Sequence, residues 1–232
     1  MVRCLRLSPF SNAVMLADKA MIAENLEQVQ SRINSVNHDQ KVQLIAVSKT
    51  RSADDIQGAV DAGQLHFGEN YLQEALEKIN TLQGQNLLWH FIGPIQSNKT
   101  SKIAEHFDWV HSVDRMKVAR RLSDQRSDST NELNILLQVN IDQESTKSGF
   151  LLEEIALVVP QIENLPNISL RGFMCIPSQA NPPQSFAKMA NLLAKYPKMD
   201  TLSMGMSQDL ELAVQNGATF VRIGTDIFGK RA

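Results

Sequence analysis

The sequence predicts an α/β protein folded as a single closed (β/α)8 barrel of the TIM type. Three observations lead there. Short apolar runs of strand length recur eight times along the chain, separated by segments that carry helix signals. Strict alternation of this kind favours parallel pairing, and the length of 232 residues is near that of a closed eight-stranded barrel. No linker or low-complexity stretch divides the chain, and one large core can be built from it without a second domain. A doubly wound open sheet would use the same alternation and is the alternative architecture.

The elements follow in order. Residues 1–12 read as an irregular N-terminal segment, and the barrel unit with its leading helix as residues 13–232. From Ala13 to Val36, apolar Val14, Ile22, Leu26, Val29 and Ile33 recur at close to helical spacing with polar residues between them. The strand runs are Val42 to Val47, Leu65 to Phe67, Leu87 to Ile92, Trp109 to His111, Ile135 to Val139, Ser169 to Met174, Thr201 to Met204 and Phe220 to Ile223. After the first run, Ser52-Ala53-Asp54-Asp55 supplies an N-cap and an acidic first turn before Ile56, Ala59 and Val60, and Gly63 ends that helix. Asn70 reads as a cap for a helix beginning at Tyr71, as a ligand-facing residue, or as both. Asn181-Pro182-Pro183, after Ile176-Pro177, reads as a long loop before a helix. Ser207-Gln208-Asp209-Leu210-Glu211 opens another helix, with Ser207 as its N-cap, and Asn216-Gly217 closes it.

Composition narrows the function. Lys and Arg number 23 against 25 Asp and Glu, without a basic stripe, so neither nucleic acid nor an anionic membrane is an expected partner. A small ligand is the better expectation. Of the two cysteines, Cys4 and Cys175, the second lies in Phe173-Met174-Cys175-Ile176 and reads as a reduced, buried thiol, which fits the cytoplasm. No apolar run approaches a membrane span, and Met1 to Asn12 lacks a secretory h-region. None of the five histidines pairs with a second ligand at metal spacing, so no metal is expected. His90, between Trp89 and Phe91, reads as a satisfied core or rim histidine.

In a closed barrel the ligand sits where the strands end. That rule selects Ser48 and Lys49, Asn70, the stretch from Gly93 to Lys99, Met174, Ser203 to Ser207, and Arg222 to Thr225. Lys49 ends the run Val42 to Ser48, and an amine at the mouth of a buried strand can form an imine with an aldehyde. Gly224-Thr225 follows the last strand, where backbone N-H groups can meet a phosphate, and Ser207 lies in the loop before it. An aldehyde and a phosphate on one ligand describe pyridoxal 5'-phosphate. Arg222, amid Val221, Ile223 and Ile227, faces either the ring nitrogen or the phosphate, and a cation near Lys49 would favour its neutral amine. Lys147 is a secondary candidate anchor, with a mobile loop charge as its plainer reading.

The motifs then carry a resemblance. Trp89-His90-Phe91-Ile92-Gly93-Pro94-Ile95-Gln96-Ser97-Asn98-Lys99 joins Ala46-Val47-Ser48-Lys49-Thr50, Phe67-Gly68-Glu69-Asn70, the stretch Ser203 to Glu211 and the stretch Val221 to Gly229. Together they resemble the pyridoxal phosphate homeostasis protein family over nearly the whole chain after about residue 13. The resemblance implies a fold-type III barrel like the N-terminal domain of alanine racemase, with the cofactor as an aldimine on Lys49. It also implies phosphate contacts around Ser207, Gly224 and Thr225, and a role in vitamin B6 and amino-acid homeostasis without an established reaction. The expected cofactor-binding set is Lys49, Asn70, Met174, Ser203, Ser207, Arg222, Gly224 and Thr225.

Turnover through such a cofactor needs a second acid or base facing Lys49 and a controlled ring nitrogen. The only tyrosines are Tyr71 and Tyr196, and no second domain follows the eighth strand to complete a racemase site. The expectation is therefore a monomeric, non-catalytic carrier that hands the cofactor to apo-enzymes, with no catalytic residues assigned. A weak racemase-like enzyme acting on amino acids is the alternative. A sugar-phosphate barrel enzyme using Lys49 on its substrate is a third reading.

Overall fold

The computed structural model describes residues 9–37, 40–128, 130–178 and 180–230. Helix α1 (Pro9–Val36) leads into β1 (Gln43–Val47), α2 (Ala53–Asp61), β2 (His66–Glu69), α3 (Leu72–Thr81), β3 (Leu88–Phe91) and α4 (Thr100–His106). Next come β4 (Trp109–Val113), α5 (Met116–Gln125), β5 (Leu133–Gln138), α6 (Ile155–Glu163), β6 (Ile168–Met174) and α7 (Pro182–Leu193). The chain finishes with β7 (Thr201–Ser203), α8 (Leu210–Gln215), β8 (Phe220–Ile223) and the short α9 (Thr225–Phe228). Every strand pairs parallel with the next, and β8 returns to β1 with Gln43 opposite Phe220 and Ile45 opposite Arg222. The barrel is closed, so the doubly wound alternative is excluded.

Two helix starts differ from the sequence reading, for one reason. α1 begins at Pro9, inside the segment expected to be irregular to Asn12, and α7 begins at Pro182, inside the expected loop. Proline has no N-H to lose in a first helical turn and a φ already suited to it. Residues 1–8, with Cys4, lie outside the described residues. α2 forms as its sequence dictates: the Ser52 hydroxyl accepts from Asp55 N at 3.1 Å while Asp55 Oδ2 accepts from Ser52 N at 3.0 Å, a complete capping box.

Strand alternation sorts side chains between two cores. Leu44, Ala46, Phe67, Trp89, Phe91, Ile135 and Leu137 pack in the large cluster shared with the helices, whereas Trp109, Leu136 and Met174 form a separate cluster with Phe220. α1 braces the end of the chain. Its Arg32 pairs with Glu211 of α8 and Asp226 of α9, each at 2.7 Å, and donates to Ser207 O at 3.0 Å. Arg32 and Glu211 stabilise each other's charged forms chiefly through their hydrogen bond, raising the one pKa and lowering the other.

Candidate functional site

Register brings the sequence-selected residues to one end of the barrel. Val47 lies opposite Gly68, Met174 opposite Ser203, and Cys175 N donates to Ser203 O at 3.2 Å. A Cβ added at Gly224 would sit 3.1 Å from Val47 O, so the turn after β8 lies against the end of β1, two residues before Lys49. The loops after β2 and β3 meet still more closely: a Cβ at Gly93 would fall 2.2 Å from Asn70 O. Only glycine permits that approach.

Lys49 itself is half-buried, in the turn immediately after β1. Arg222 is buried, which excludes a surface arginine. Its guanidinium donates to Ser203 Oγ at 2.7 Å and to Cys175 O at 3.0 Å, both neutral acceptors, and burial is the main influence lowering its pKa. Among the described residues no carboxylate lies within ion-pair distance of it. A buried cation held by neutral groups suits an anionic or electron-rich ligand. Asn70 does not cap α3, whose N-cap is Tyr71; instead its Oδ1 is buried with no hydrogen-bond partner. Asn70 lines a cavity of about 310 Å³ together with Ile92, Asp114, Asn140, Lys147 and Ile176. None of the other seven expected residues lines this space, which occupies the β2 to β6 side of the mouth.

Three more of the expected residues have definite settings within the chain. Ser207 is not an N-cap: α8 starts at Leu210 with Asp209 before it, and Asp209 folds its carboxylate back onto Met206 N at 2.6 Å. A carboxylate that accepts from the N-H three residues before it is the reciprocal half of a capping box, here around the Met206–Asp209 turn that precedes α8. Met174 is buried against Trp109 and Leu136, beneath the mouth. Ser203, fully buried, stands between Arg222 and His111 Nδ1, the latter at 2.9 Å.

Two polar assemblies escaped the sequence reading. His66 Nδ1 meets His90 Nε2 at 3.0 Å, and His90 Nδ1 meets His111 Nε2 at 3.0 Å, so a chain of three imidazoles crosses the barrel to Ser203 and Arg222. Burial first, then neighbouring imidazoles, holds His90 well below the ordinary histidine pKa; burial first, then Arg222, does the same for His111. Both are neutral. The alternation of His90 with Trp89 and Phe91, and of His111 with Val110, is the signal that places them inward. The second assembly joins Ser48, Glu69, Glu74 and Lys78 beside Lys49. Nearby, burial pushes the Cys175 thiol up to about 12, leaving it a thiol rather than a nucleophile.

The alanine racemase N-terminal domain family matches residues 17–232. The chain is 50% identical over 220 residues to the pyridoxal phosphate homeostasis protein of Pseudomonas aeruginosa, covering 90% of this chain and 96% of that one. It is 45% identical over 226 residues to the protein of that name from Escherichia coli K12, with 90% and 97% covered. Among solved structures, PipY of Synechococcus elongatus with pyridoxal phosphate bound is 38% identical, with a TM-score of 0.79 and 90% and 100% of the chains covered. Alanine racemase from Corynebacterium glutamicum, at 15% identity and a TM-score of 0.72, shares the fold over 92% of this chain and 61% of its own. Matching sequence, closed barrel and assembled strand ends agree: the chain belongs to the pyridoxal phosphate homeostasis protein family, built on the alanine racemase N-terminal-domain barrel.

Proposed function

We propose that the chain binds pyridoxal 5'-phosphate through an imine to Lys49 and serves intracellular vitamin B6 and amino-acid homeostasis as a carrier, without turnover of its own. The observation that carries this reading is the placement of Lys49 at the rim shared with Gly224, above a buried Arg222 that has only neutral hydrogen-bond partners among the described residues. When bound, the cofactor supplies an aldehyde that exchanges between amines. The chain's own residues bind and orient. Gly224 and Thr225 offer backbone at the turn after β8, Asn70 offers an unpartnered acceptor, and Arg222 offers fixed positive charge that disfavours protonation of a nearby ring nitrogen.

The non-catalytic half of the proposal is supported by the engagement of the proton-bearing groups packed around Arg222 among the described residues. His90 and His111 are neutral but committed to each other and to Ser203, and the Cys175 thiol is held protonated. We assign the protein to the cytoplasm as a monomer, with apo-enzymes as recipients. The test is the visible spectrum of the purified protein with borohydride trapping and peptide mapping: yellow absorbance and label on Lys49, both lost in Lys49→Ala, are expected. Label chiefly on Lys99 or Lys147 refutes the site. Deuterium uptake at Cα of alanine in heavy water, abolished by Lys49→Ala, would replace the carrier with the racemase-like enzyme.

A further inference from the structure

The turn that presents Lys49 is clamped on both sides by one buried charge cluster. On the N-terminal side, the Ser48 hydroxyl donates to Glu69 Oε1 at 2.6 Å, and Lys78 Nζ donates to the Ser48 carbonyl at 2.6 Å. On the C-terminal side, Thr50 N donates to Glu74 Oε1 at 2.5 Å. Lys78 links the two sides, donating also to Glu69 Oε1 at 2.7 Å and Glu74 Oε1 at 2.5 Å. Ser48 and Glu69 are fully buried and Lys78 is 5% exposed, so the bonds among these three lie out of water, while the Thr50–Glu74 bond lies at the surface edge of the cluster. Glu74 and Lys78 project from the same face of α3, four residues apart.

The turn needs holding. Thr50 has φ 64°, a left-handed conformation that a β-branched residue adopts only when its surroundings impose it. Glu74 accepts the Thr50 N-H in that conformation, and the backbone Arg51 N to Ser48 O bond, 3.0 Å, closes the turn beneath it. Lys49 lies between the two clamped residues, so the backbone that carries it is held by groups on β2 and α3. The cluster also separates the two neighbouring lysines chemically. The three donors of the Lys78 ammonium meet three acceptors, the Ser48 carbonyl, Glu69 and Glu74, and a group so engaged has no lone pair to attack an aldehyde.

We propose that Glu69, Glu74 and Lys78 are positioning residues for Lys49: they hold the Ser48–Thr50 turn so that the Lys49 amine, and not the Lys78 amine, meets the cofactor aldehyde. This inference rests on the covalent reading of Lys49 given above. Glu74 is the residue to change, because it is partly exposed and its loss leaves the Glu69–Lys78 pair in place.

The experiment follows absorbance after mixing apo-protein with pyridoxal 5'-phosphate, maps the borohydride-trapped lysine, and measures amide hydrogen exchange at Thr50. Glu74→Ala should slow attachment about ten-fold, a modest part of what misorienting a reacting group costs. It should also remove protection of the Thr50 amide. The non-covalent affinity, measured in a Lys49→Ala background, should move less than about three-fold, well under the ten-fold that 1.4 kcal/mol represents. Glu74→Gln, which keeps the carbonyl acceptor, should restore most of the rate, and this contrast carries the test if the alanine variant folds poorly. Attachment at the unaltered rate in a folded Glu74→Ala or Glu74→Gln protein that has lost Thr50 protection overturns the clamp, as does label on Lys78 in the unaltered protein. If the unaltered protein traps no label on Lys49, the covalent reading itself fails.

Discussion

Acid should destabilise this protein through the histidine chain, by an amount that can be worked out before measurement. His90 and His111 are fully buried and hydrogen-bond each other at 3.0 Å; Lys41 faces His66 at one end of the chain and Arg222 faces His111 at the other. Burial holds both imidazoles neutral, with folded pKa values well below the ordinary one. The unfolded chain then binds more protons, so this contribution is complete above about pH 6.5 and shrinks as pH falls toward the folded values. One histidine kept neutral costs about 1.4 kcal/mol at pH 5.5 and about 2.7 kcal/mol at pH 4.5. Two cost about 2.8 kcal/mol at pH 5.5, a large share of a typical stability of roughly 5–15 kcal/mol. Urea unfolding at pH 7.5, 6.5 and 5.5 should be compared for the unaltered protein and His90→Gln. The variant should lose about 1.4 kcal/mol less between the extremes. Titrating groups that do not touch His90 cancel in that difference, and NMR titration of His66 and His111, which bond to it, separates their share. Identical pH dependence in the two proteins, or an imidazole of His90 titrating near its ordinary value by NMR, would refute the reasoning.

The remaining predictions concern the site and its supports. Gly93→Ala drives a Cβ to 2.2 Å from Asn70 O, so it should destabilise by about 1–3 kcal/mol and lower the thermal midpoint by roughly 2–4 °C per kcal/mol; an unchanged midpoint in a scanning melt contradicts the close approach. Pyridoxal, lacking the phosphate, should bind at least about ten-fold more weakly than its phosphate ester, a difference of about 1.4 kcal/mol; equal affinities in absorbance titrations would remove the phosphate site from the turn at Gly224. Arg32→Ala breaks two pairs that are about one-third exposed, so urea unfolding should register a loss of only about 1 kcal/mol, shrinking at high salt. A large, salt-independent loss would make α1 a core element and not a brace.

Sequence by itself determined the architecture. Eight apolar runs and the glycines and caps between them are local signals, each set by neighbours a few residues away, and they appear as eight strands in a closed barrel. Capping at Ser52 was equally legible, because a capping box spans four residues. Proline starts at Pro9 and Pro182 were misread, since proline opens a helix as readily as it interrupts a loop. Ser207 was misread because the turn before α8 is held by Asp209 bonding back to Met206 N, and the helix begins only at Leu210.

Only the tertiary structure decided which polar residues meet. His66, His90 and His111 stand 24 and 21 residues apart, and Ser203 another 92, so no local spacing announces their chain. Strand alternation turns each inward, the register of the adjacent strands β2, β3 and β4 sets the imidazoles 3.0 Å apart, and barrel closure brings Ser203 of β7 within 2.9 Å of His111. The burial of Lys78 against Glu69 and the Ser48 carbonyl follows from the packing of α3 over the ends of β1 and β2, which no local pattern announces. Periodicity assigns a side chain to a face, whereas partnership across a closed sheet is fixed by register and curvature, which belong to the assembled barrel and to no single segment of it.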